Sequence, residues 1–219
     1  GACPAHRVHV VHPWASGGDL QPIDKASVPL AAALGVDQTF NIVYSGNLGM
    51  AHDLPTMVGA IDLMKSDDGA RFIFIGGGSR FDQLQQEAAV RRWKHVRFLP
   101  YQERPLLGQS LNLADVHLIS QLPEFIGIVV PSKLFGIMAV GRPSVVIAQP
   151  HAEVARIVRE SAAGVVVANG DSAGLATALR QLRADRATLA TMGANARRAF
   201  EAQFDLPIAC AQMERILTG

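Results

Sequence analysis

Residues 123–143 read P-E-F-I-G-I-V-V-P-S-K-L-F-G-I-M-A-V-G-R-P. The second half of this stretch is a helix pattern, and the first half holds a carboxylate and a glycine turn. A helix N-terminus carries unpaired N–H groups and a partial positive charge, so it binds phosphate or another anion readily. The stretch therefore predicts an anion site at the start of a helix, formed by Glu124, Gly127, Ser132 and Lys133.

Short apolar runs typical of buried strands flank this stretch and recur along the chain. We predict strands at Arg7–His12, Asn41–Tyr44, Arg71–Ile75, Val96–Leu99, Val116–Ile119, Ser144–Ile147 and Val165–Val167. Helical patterns separate them, at Leu54–Met64, Asp82–Val90, Leu106–Leu113, Lys133–Val140, Glu153–Ser161, Ser172–Arg183, Arg186–Glu201 and Asp205–Leu217. Strands that alternate with helices indicate βαβ units. We therefore predict an α/β fold with a doubly wound parallel sheet of about six strands.

Composition excludes several classes of protein. The formal net charge is only +1, so we expect no nucleic-acid partner. The chain has two cysteines, Cys3 and Cys210, too few for a disulfide framework or a metal site, and this fits a reducing compartment. It contains no run of about 18 apolar residues, and its first residues lead us to expect no signal peptide. We expect a cytoplasmic protein without a bound metal.

The loops after the strands carry the candidate binding residues, because ligands of a doubly wound sheet lie beyond the carboxyl ends of its strands. The loop S-G-N-L-G at 45–49 has two glycines that let a ligand approach the backbone, although an ordinary turn is the alternative. The triplet at 76–78 indicates contact either with a ligand or with a neighbouring loop. Tyr101 could stack on a base or cover the sheet edge, and His52 could serve the ligand or the core.

Seven motifs together resemble the C-terminal, donor-binding domain of a GT-B glycosyltransferase of the retaining family-four (group 1) type. They are V-H-V-V-H-P-W-A from Val8, Y-S-G-N-L-G from Tyr44, F-I-G-G-G from Phe74, V-R-F-L-P-Y from Val96, A-D-V-H-L from Ala114, V-V-P-S-K-L-F-G-I from Val129 and A-V-G-R-P from Ala139. The chain looks most like the branch that builds O-antigen, capsule and other surface polysaccharides, where UDP-linked amino sugars are frequent donors. The resemblance implies transfer of a sugar from a UDP-sugar to a polysaccharide or lipid-linked acceptor with retention of configuration.

The resemblance also implies a domain organisation, because a GT-B enzyme has its active site between two Rossmann-like halves. Residues 1–40 would then be an interdomain linker strand and a surface excursion, and residues 41–219 the nucleotide-sugar-binding half. We expect the partners to be a nucleotide sugar, an acceptor glycan or lipid-linked sugar, and a missing N-terminal acceptor domain. That domain could hold the enzyme at the inner membrane as a peripheral protein. The chain alone is expected to bind the nucleotide weakly, to need no cofactor besides the donor, and to transfer nothing.

Residue roles follow from the matching motifs. Gly46, Asn47 and Gly49 match the loop that approaches the donor diphosphate. Many members of the family carry an arginine and a lysine in this loop, whereas this chain has Asn47 and His52. We therefore expect Lys133 to supply the missing charge and to stabilise the leaving diphosphate.

Other matches concern the base, the sugar and the ribose. Leu99 and Tyr101 match the residues that meet the nucleobase, and Gly77 lies in the glycine triplet. In the family signature E-G-F-G-x-x-x-x-E, Glu124 and Gly127 match the first glutamate and the second glycine, and Glu124 would hold sugar hydroxyls or favour the cationic ring. The second glutamate, which usually bonds the ribose, is absent. Counting without gaps puts Ser132 at its position, and anchoring on G-R-P puts Gly136 there.

Two alternative functions remain open at this point. A UDP-N-acetylglucosamine 2-epimerase shares the architecture and would also need a second domain. A non-catalytic nucleotide-binding or assembly module is the other alternative, from a different functional class. Product analysis with the UDP-sugar would separate the first from a transferase, and UDP binding would separate the second.

Overall fold

A computed structural model describes residues 8–218 of the chain. Its centre is a six-stranded parallel sheet with the strand order β3-β2-β1-β4-β5-β6. The strands are β1 (Phe40–Asn47), β2 (Ala70–Gly77), β3 (Val96–Leu99), β4 (Val116–Ser120), β5 (Ser144–Ile147) and β6 (Gly164–Val167). The predicted fold class, a doubly wound parallel sheet, is confirmed.

Helices connect the strands and close the chain. They are α1 (Pro29–Leu34), α2 (Leu54–Leu63), α3 (Ser79–Val90), α4 (Leu107–Asn112), α5 (Lys133–Ala139), α6 (Glu153–Glu160), α7 (Ser172–Ala184), α8 (Arg186–Gln203) and α9 (Leu206–Thr218). The eight predicted helices are present with ends shifted by at most three residues, and α1 was not predicted. No helix of the described chain is long and apolar enough to cross a membrane.

The sheet is buried on both faces because its strands are apolar at successive positions. Ile42 and Tyr44 of β1 point into a core cluster that also contains residues of α2, α3 and α7. Val43, between them, belongs to a cluster on the other face that includes Ala31 of α1. This alternation explains why short apolar runs, rather than polar-apolar alternation, marked the strands in the sequence.

The segment before β1 departs from the prediction. Residues 8–12 form no strand and do not join the six-stranded sheet. The segment that follows is more than a surface excursion, because Leu20 and Val28 are buried in core clusters. Arg7 and Cys3, which also carried predictions, lie outside the described residues.

The strand order creates a switch point between β1 and β4. The chain runs outward from β1 through β2 to β3 and then returns to β4, which pairs with the other side of β1. In open sheets of this kind, ligands bind in the crevice beyond the carboxyl ends of the strands at such a point. The fold therefore places the loops after Asn47 and Ser120 at the candidate site.

Candidate functional site

A cavity of about 590 Å³ opens at this switch point. It is lined by residues at the ends of β1 and β4, at the start of α5, on α4 and in the segment before α1. These residues are Trp14, Ala15, Leu20, Ser45, Gly46, Asn47, Ala51, His52, Leu107, Leu111, Ser120, Gln121, Val129, Val130, Pro131, Ser132, Lys133 and Gly136. Among the described residues that line the cavity there is no aspartate, glutamate or arginine, and Lys133 is the only lysine, so it is their only formally charged side chain.

The ammonium group of Lys133 is the central feature of this cavity. Its Nζ atom is shielded from solvent and has no hydrogen-bond partner among the described residues. Nζ lies 3.6 Å from the centroid of the Tyr44 ring. It also lies close to Gly46, since a Cβ added to that glycine would be 3.6 Å from Nζ. Burial lowers the pKa of Lys133 to about 7, so the group changes charge near neutral pH.

Tyr44 and His52 form a hydrogen-bonded pair beside Lys133. The Tyr44 hydroxyl lies 2.7 Å from the Asn47 carbonyl and 3.1 Å from His52 Nε2, and its single proton is donated to one of these two acceptors at a time. His52 Nδ1 lies 2.8 Å from the Ser120 carbonyl, which assigns the proton of a neutral imidazole to Nδ1. Burial, assisted by the charge of Lys133, lowers the pKa of His52 to about 4. Burial raises the pKa of Tyr44 well above its ordinary value. At neutral pH, therefore, both side chains are uncharged.

The glycine triplet after β2 packs against the loop after β1. A Cβ on Gly76 would lie 2.2 Å from the Gly46 carbonyl oxygen, and one on Gly78 would lie 2.3 Å from Asn47 Oδ1. Both glycines have positive φ angles, 139° and 117°, which side chains disfavour. Tight packing between the two loops thus accounts for these two glycines.

Five of the residues predicted from the sequence line the cavity together: Gly46, Asn47, His52, Ser132 and Lys133. Gly49 lies directly behind them, since a Cβ there would be 3.2 Å from Asn47 Nδ2. Their contact with a ligand stays a prediction.

Glu124 and Gly127 are not among the residues that line the cavity, and their grouping with Lys133 stays a prediction. Glu124 sits on a separate 3₁₀ turn, Pro123–Phe125, and is exposed. The amide of Gln121 fixes this loop by donating to the carbonyls of Phe125 and Val129, at 3.1 and 2.6 Å. Gln121, which lines the cavity, therefore ties the turn that carries Glu124 to the segment that runs through Val129 and Val130 to α5.

The predicted nucleobase loop also lies outside this cavity. Leu99 packs against the apolar cluster under α1. Tyr101 is 59% exposed, and its ring covers Gly77, whose added Cβ would be 3.1 Å from it. Gly77 therefore gives room to an aromatic ring of the chain itself. Base contact at Leu99 and Tyr101 and donor contact at Gly77 stay predictions.

The position of the missing second glutamate faces an apolar surface. Gly136 lines the cavity, and a Cβ there would lie 3.4 Å from Leu111 and 3.6 Å from Leu20. Ser132 is exposed at the start of α5. Within residues 8–218, no group of three metal-ligating side chains is suited to a metal ion.

Sequence reasoning missed three residues of the site. Tyr44 gave a faint signal, because a tyrosine inside an apolar strand needs a partner for its hydroxyl. Trp14 and Gln121 gave none, since only the folded chain brings them to the cavity.

Comparison with known proteins identifies the family. The sequence profile described as "Glycosyl transferases group 1" matches residues 39–185. The chain belongs to the group 1 glycosyl transferases. WcaI of Escherichia coli K12, named as a candidate colanic acid biosynthesis glycosyl transferase, is 32% identical over 116 residues, which are 53% of this chain and 28% of WcaI. AmsK of Erwinia amylovora, an amylovoran biosynthesis glycosyltransferase, is 25% identical over 219 residues, 98% of this chain and 51% of AmsK.

The solved structures agree on the fold. The crystal structure of Anabaena HepE, in complex with UDP and glucose, superimposes with a TM-score of 0.80 at 20% identity. The match covers 96% of this group 1 chain and 56% of HepE. The chain thus spans about half of AmsK and HepE, and a smaller part of WcaI.

Proposed function

We propose that this chain is the donor-binding half of a glycosyltransferase. In this proposal it binds the diphosphate of a UDP-sugar at the switch-point cavity. The complete enzyme then transfers the sugar to a hydroxyl of a polysaccharide or lipid-linked acceptor, with retention. Membership of the group 1 family supports the reaction class. The names of WcaI and AmsK, which refer to colanic acid and amylovoran, support a polysaccharide acceptor.

One observation carries the proposal: the ammonium of Lys133 is buried beside the backbone of Gly46 without an anionic partner. A buried charge is costly unless it is paired. The ion pairs of the described residues do not include Lys133, and no carboxylate lines the cavity. A diphosphate would supply the missing negative charge, and the Gly46 loop leaves room for it.

The chemistry follows from where charge develops. As the bond to the anomeric carbon breaks, the diphosphate gains negative charge while the sugar ring becomes cationic. A preorganised ammonium beside the leaving group stabilises that charge more in the transition state than in the ground state. The role that we propose for Lys133 is therefore to stabilise the leaving diphosphate. Glu124 keeps only a proposed role at the rim, where a sugar that extends past Val130 would meet it.

Calorimetry with UDP and two lysine variants tests the proposal. We expect Lys133→Ala to weaken UDP binding by roughly 10–100-fold, the effect of losing a hydrogen bond to a charged group. Lys65→Ala is the matched control, because it removes one positive charge from an exposed side chain outside the cavity, and it should leave the affinity within about twofold.

Two results would contradict the proposal. Absence of UDP binding at millimolar concentration would favour the assembly-module alternative. Equal affinities of the parent chain and Lys133→Ala would show that the diphosphate lies elsewhere.

A further inference from the structure

We propose that Tyr44 is a positioning residue for Lys133, and that the face of its ring holds the ammonium group charged at the place where the diphosphate binds. The contact between the two side chains is independent of any ligand. Its consequence for the donor rests on the proposed function.

The geometry of the pair fits a cation–π interaction. Lys133 Nζ lies 3.6 Å from the ring centroid, well inside the distance at which the electron-rich face attracts a cation. Tyr44 is completely buried, and Nζ itself is shielded from solvent. Such an interaction is strongest when both partners have lost their water.

The ring that receives the ammonium is itself held in place. Its hydroxyl lies between two acceptors, the Asn47 carbonyl and His52 Nε2, and His52 Nδ1–H is anchored in turn to the Ser120 carbonyl. The ring of Phe74 packs against it with 6.0 Å between centroids. The orientation of the Tyr44 ring is therefore set by the ends of β1 and β4, the two strands of the switch point.

The charges around Lys133 give it no other favourable partner among the described residues. Two histidines feel its charge: His52 in the loop before α2, and His117 on β4. The pKa of each is lowered mainly by burial and further by the charge of Lys133. Arg80, at the start of α3, adds a positive charge that acts on His52. Because all of these groups are neutral or cationic, the ring face is what opposes loss of the Lys133 proton.

Fluorination of the ring at position 44 tests this without changing its size much. The reference variant is Tyr44→Phe. The other members of the series carry, at position 44, phenylalanine with one, two or more fluorine atoms on the ring. Fluorine withdraws electron density from the ring face and so weakens its attraction for a cation. The chain has only four lysines, so lysine labelled with ¹³C at Cε gives four signals, and Lys133→Arg assigns the relevant one.

We expect the titration midpoint of Lys133 in the free chain to fall stepwise along the series, by about 0.5–1 pH unit in total. The same fluorinated phenylalanines at Phe40, whose ring lies under Arg186 and outside the cavity, should leave the midpoint unchanged. A midpoint that stays constant along the series at position 44 would overturn the proposal.

Binding of UDP-glucose provides the second measurement. Its pyrophosphate is esterified at both ends and keeps only one strongly acidic oxygen on each phosphorus, so its charge is constant across the titration of Lys133. We expect the affinity to fall by roughly 3–10-fold along the series at about pH 8, where the ammonium is the minor form, and to change little at about pH 6. If the midpoint moves but no variant binds UDP-glucose, the positioning of the ammonium stands and the proposed function fails. If the parent chain binds UDP-glucose and neither the midpoint nor the affinity responds, the positioning role fails and the proposed function stands.

Discussion

Single residues decide the chemistry of this site, and Lys133 decides most of it. Its presence at the start of a helix was evident in the sequence, where it follows a serine and precedes an apolar helix pattern. The sequence did not reveal that Lys133 is buried over the Tyr44 ring, because the two residues are 89 positions apart and meet only when β1 and α5 converge. Local spacing reports which side chains share an element, whereas the pKa of Lys133 depends on tertiary contacts.

A second buried base, His117, predicts how stability depends on pH. Burial lowers the pKa of His117 from its ordinary 6.5 to about 4. Between these values the unfolded chain binds a proton that the folded chain rejects, so the free energy of unfolding decreases as the pH falls from about 6.5 to about 4. We expect His117 to contribute on the order of 2–3 kcal/mol to this decrease, measured by urea unfolding across the pH range.

His117→Gln is the matched variant, since its amide can still donate to the Leu111 carbonyl that accepts from His117 Nε2 at 2.9 Å. Its stability should vary less with pH than that of the parent chain. Equal slopes for the two proteins between pH about 4 and 6.5 would show that His117 does not titrate in this way.

At the scale of elements, two helices begin with the same arrangement in different surroundings. Asp53 caps α2 by accepting from the Thr56 amide and hydroxyl at 3.1 and 2.7 Å, and Asp185 caps α8 by accepting from Thr188 at 2.9 and 2.6 Å. Asp53 is buried and also accepts from Asn169 at 2.9 Å, whereas Asp185 is exposed. The Asp53 cap therefore ties the loop before α2 to the loop before α7.

This pair predicts unequal costs for the same substitution. Asp185→Ala should lower the free energy of unfolding by about 1 kcal/mol, the usual value of an exposed cap. Asp53→Ala should lower it by about 2–4 kcal/mol, because it also leaves buried donors of Thr56 and Asn169 unpaired. Chemical denaturation of both variants measures the difference. Equal losses would mean that the Asn169 contact contributes nothing.

The elements were the part of the fold that the sequence predicted best. Apolar runs located six strands, since residues buried on both faces must be apolar throughout. The failures have physical causes. Residues 8–12 have a strand-like composition but form no strand, because composition does not report which segments pair. Sequence spacing likewise does not reveal that the amide of Gln121 ties the loop that carries Glu124 to the carbonyls of Phe125 and Val129.

At the scale of the whole molecule, the strand order explains why the site lies where it does. The cavity uses the carboxyl ends of β1 and β4, Asn47 and Ser120, which are 73 residues apart in sequence (120 − 47) but lie on neighbouring strands of the sheet. The family to which the chain belongs was predictable from its motifs, and the profile match over residues 39–185 confirms it.

The proposed division of labour predicts that this chain binds its donor without turning it over. GT-B active sites lie between two halves, and the chain spans about half of AmsK and HepE. We expect no release of UDP from UDP-glucose above a buffer blank, and no epimerised product from UDP-N-acetylglucosamine, measured by chromatography. Robust turnover by the 219-residue chain would contradict this division.

A crystal structure of the chain soaked with UDP tests the central claim most directly. The account predicts a phosphate oxygen within about 3 Å of Lys133 Nζ, with the diphosphate beside Gly46 in the switch-point cavity. Nucleotide density at another place, or a cavity without nucleotide while Lys133 stays on the Tyr44 ring, would contradict it.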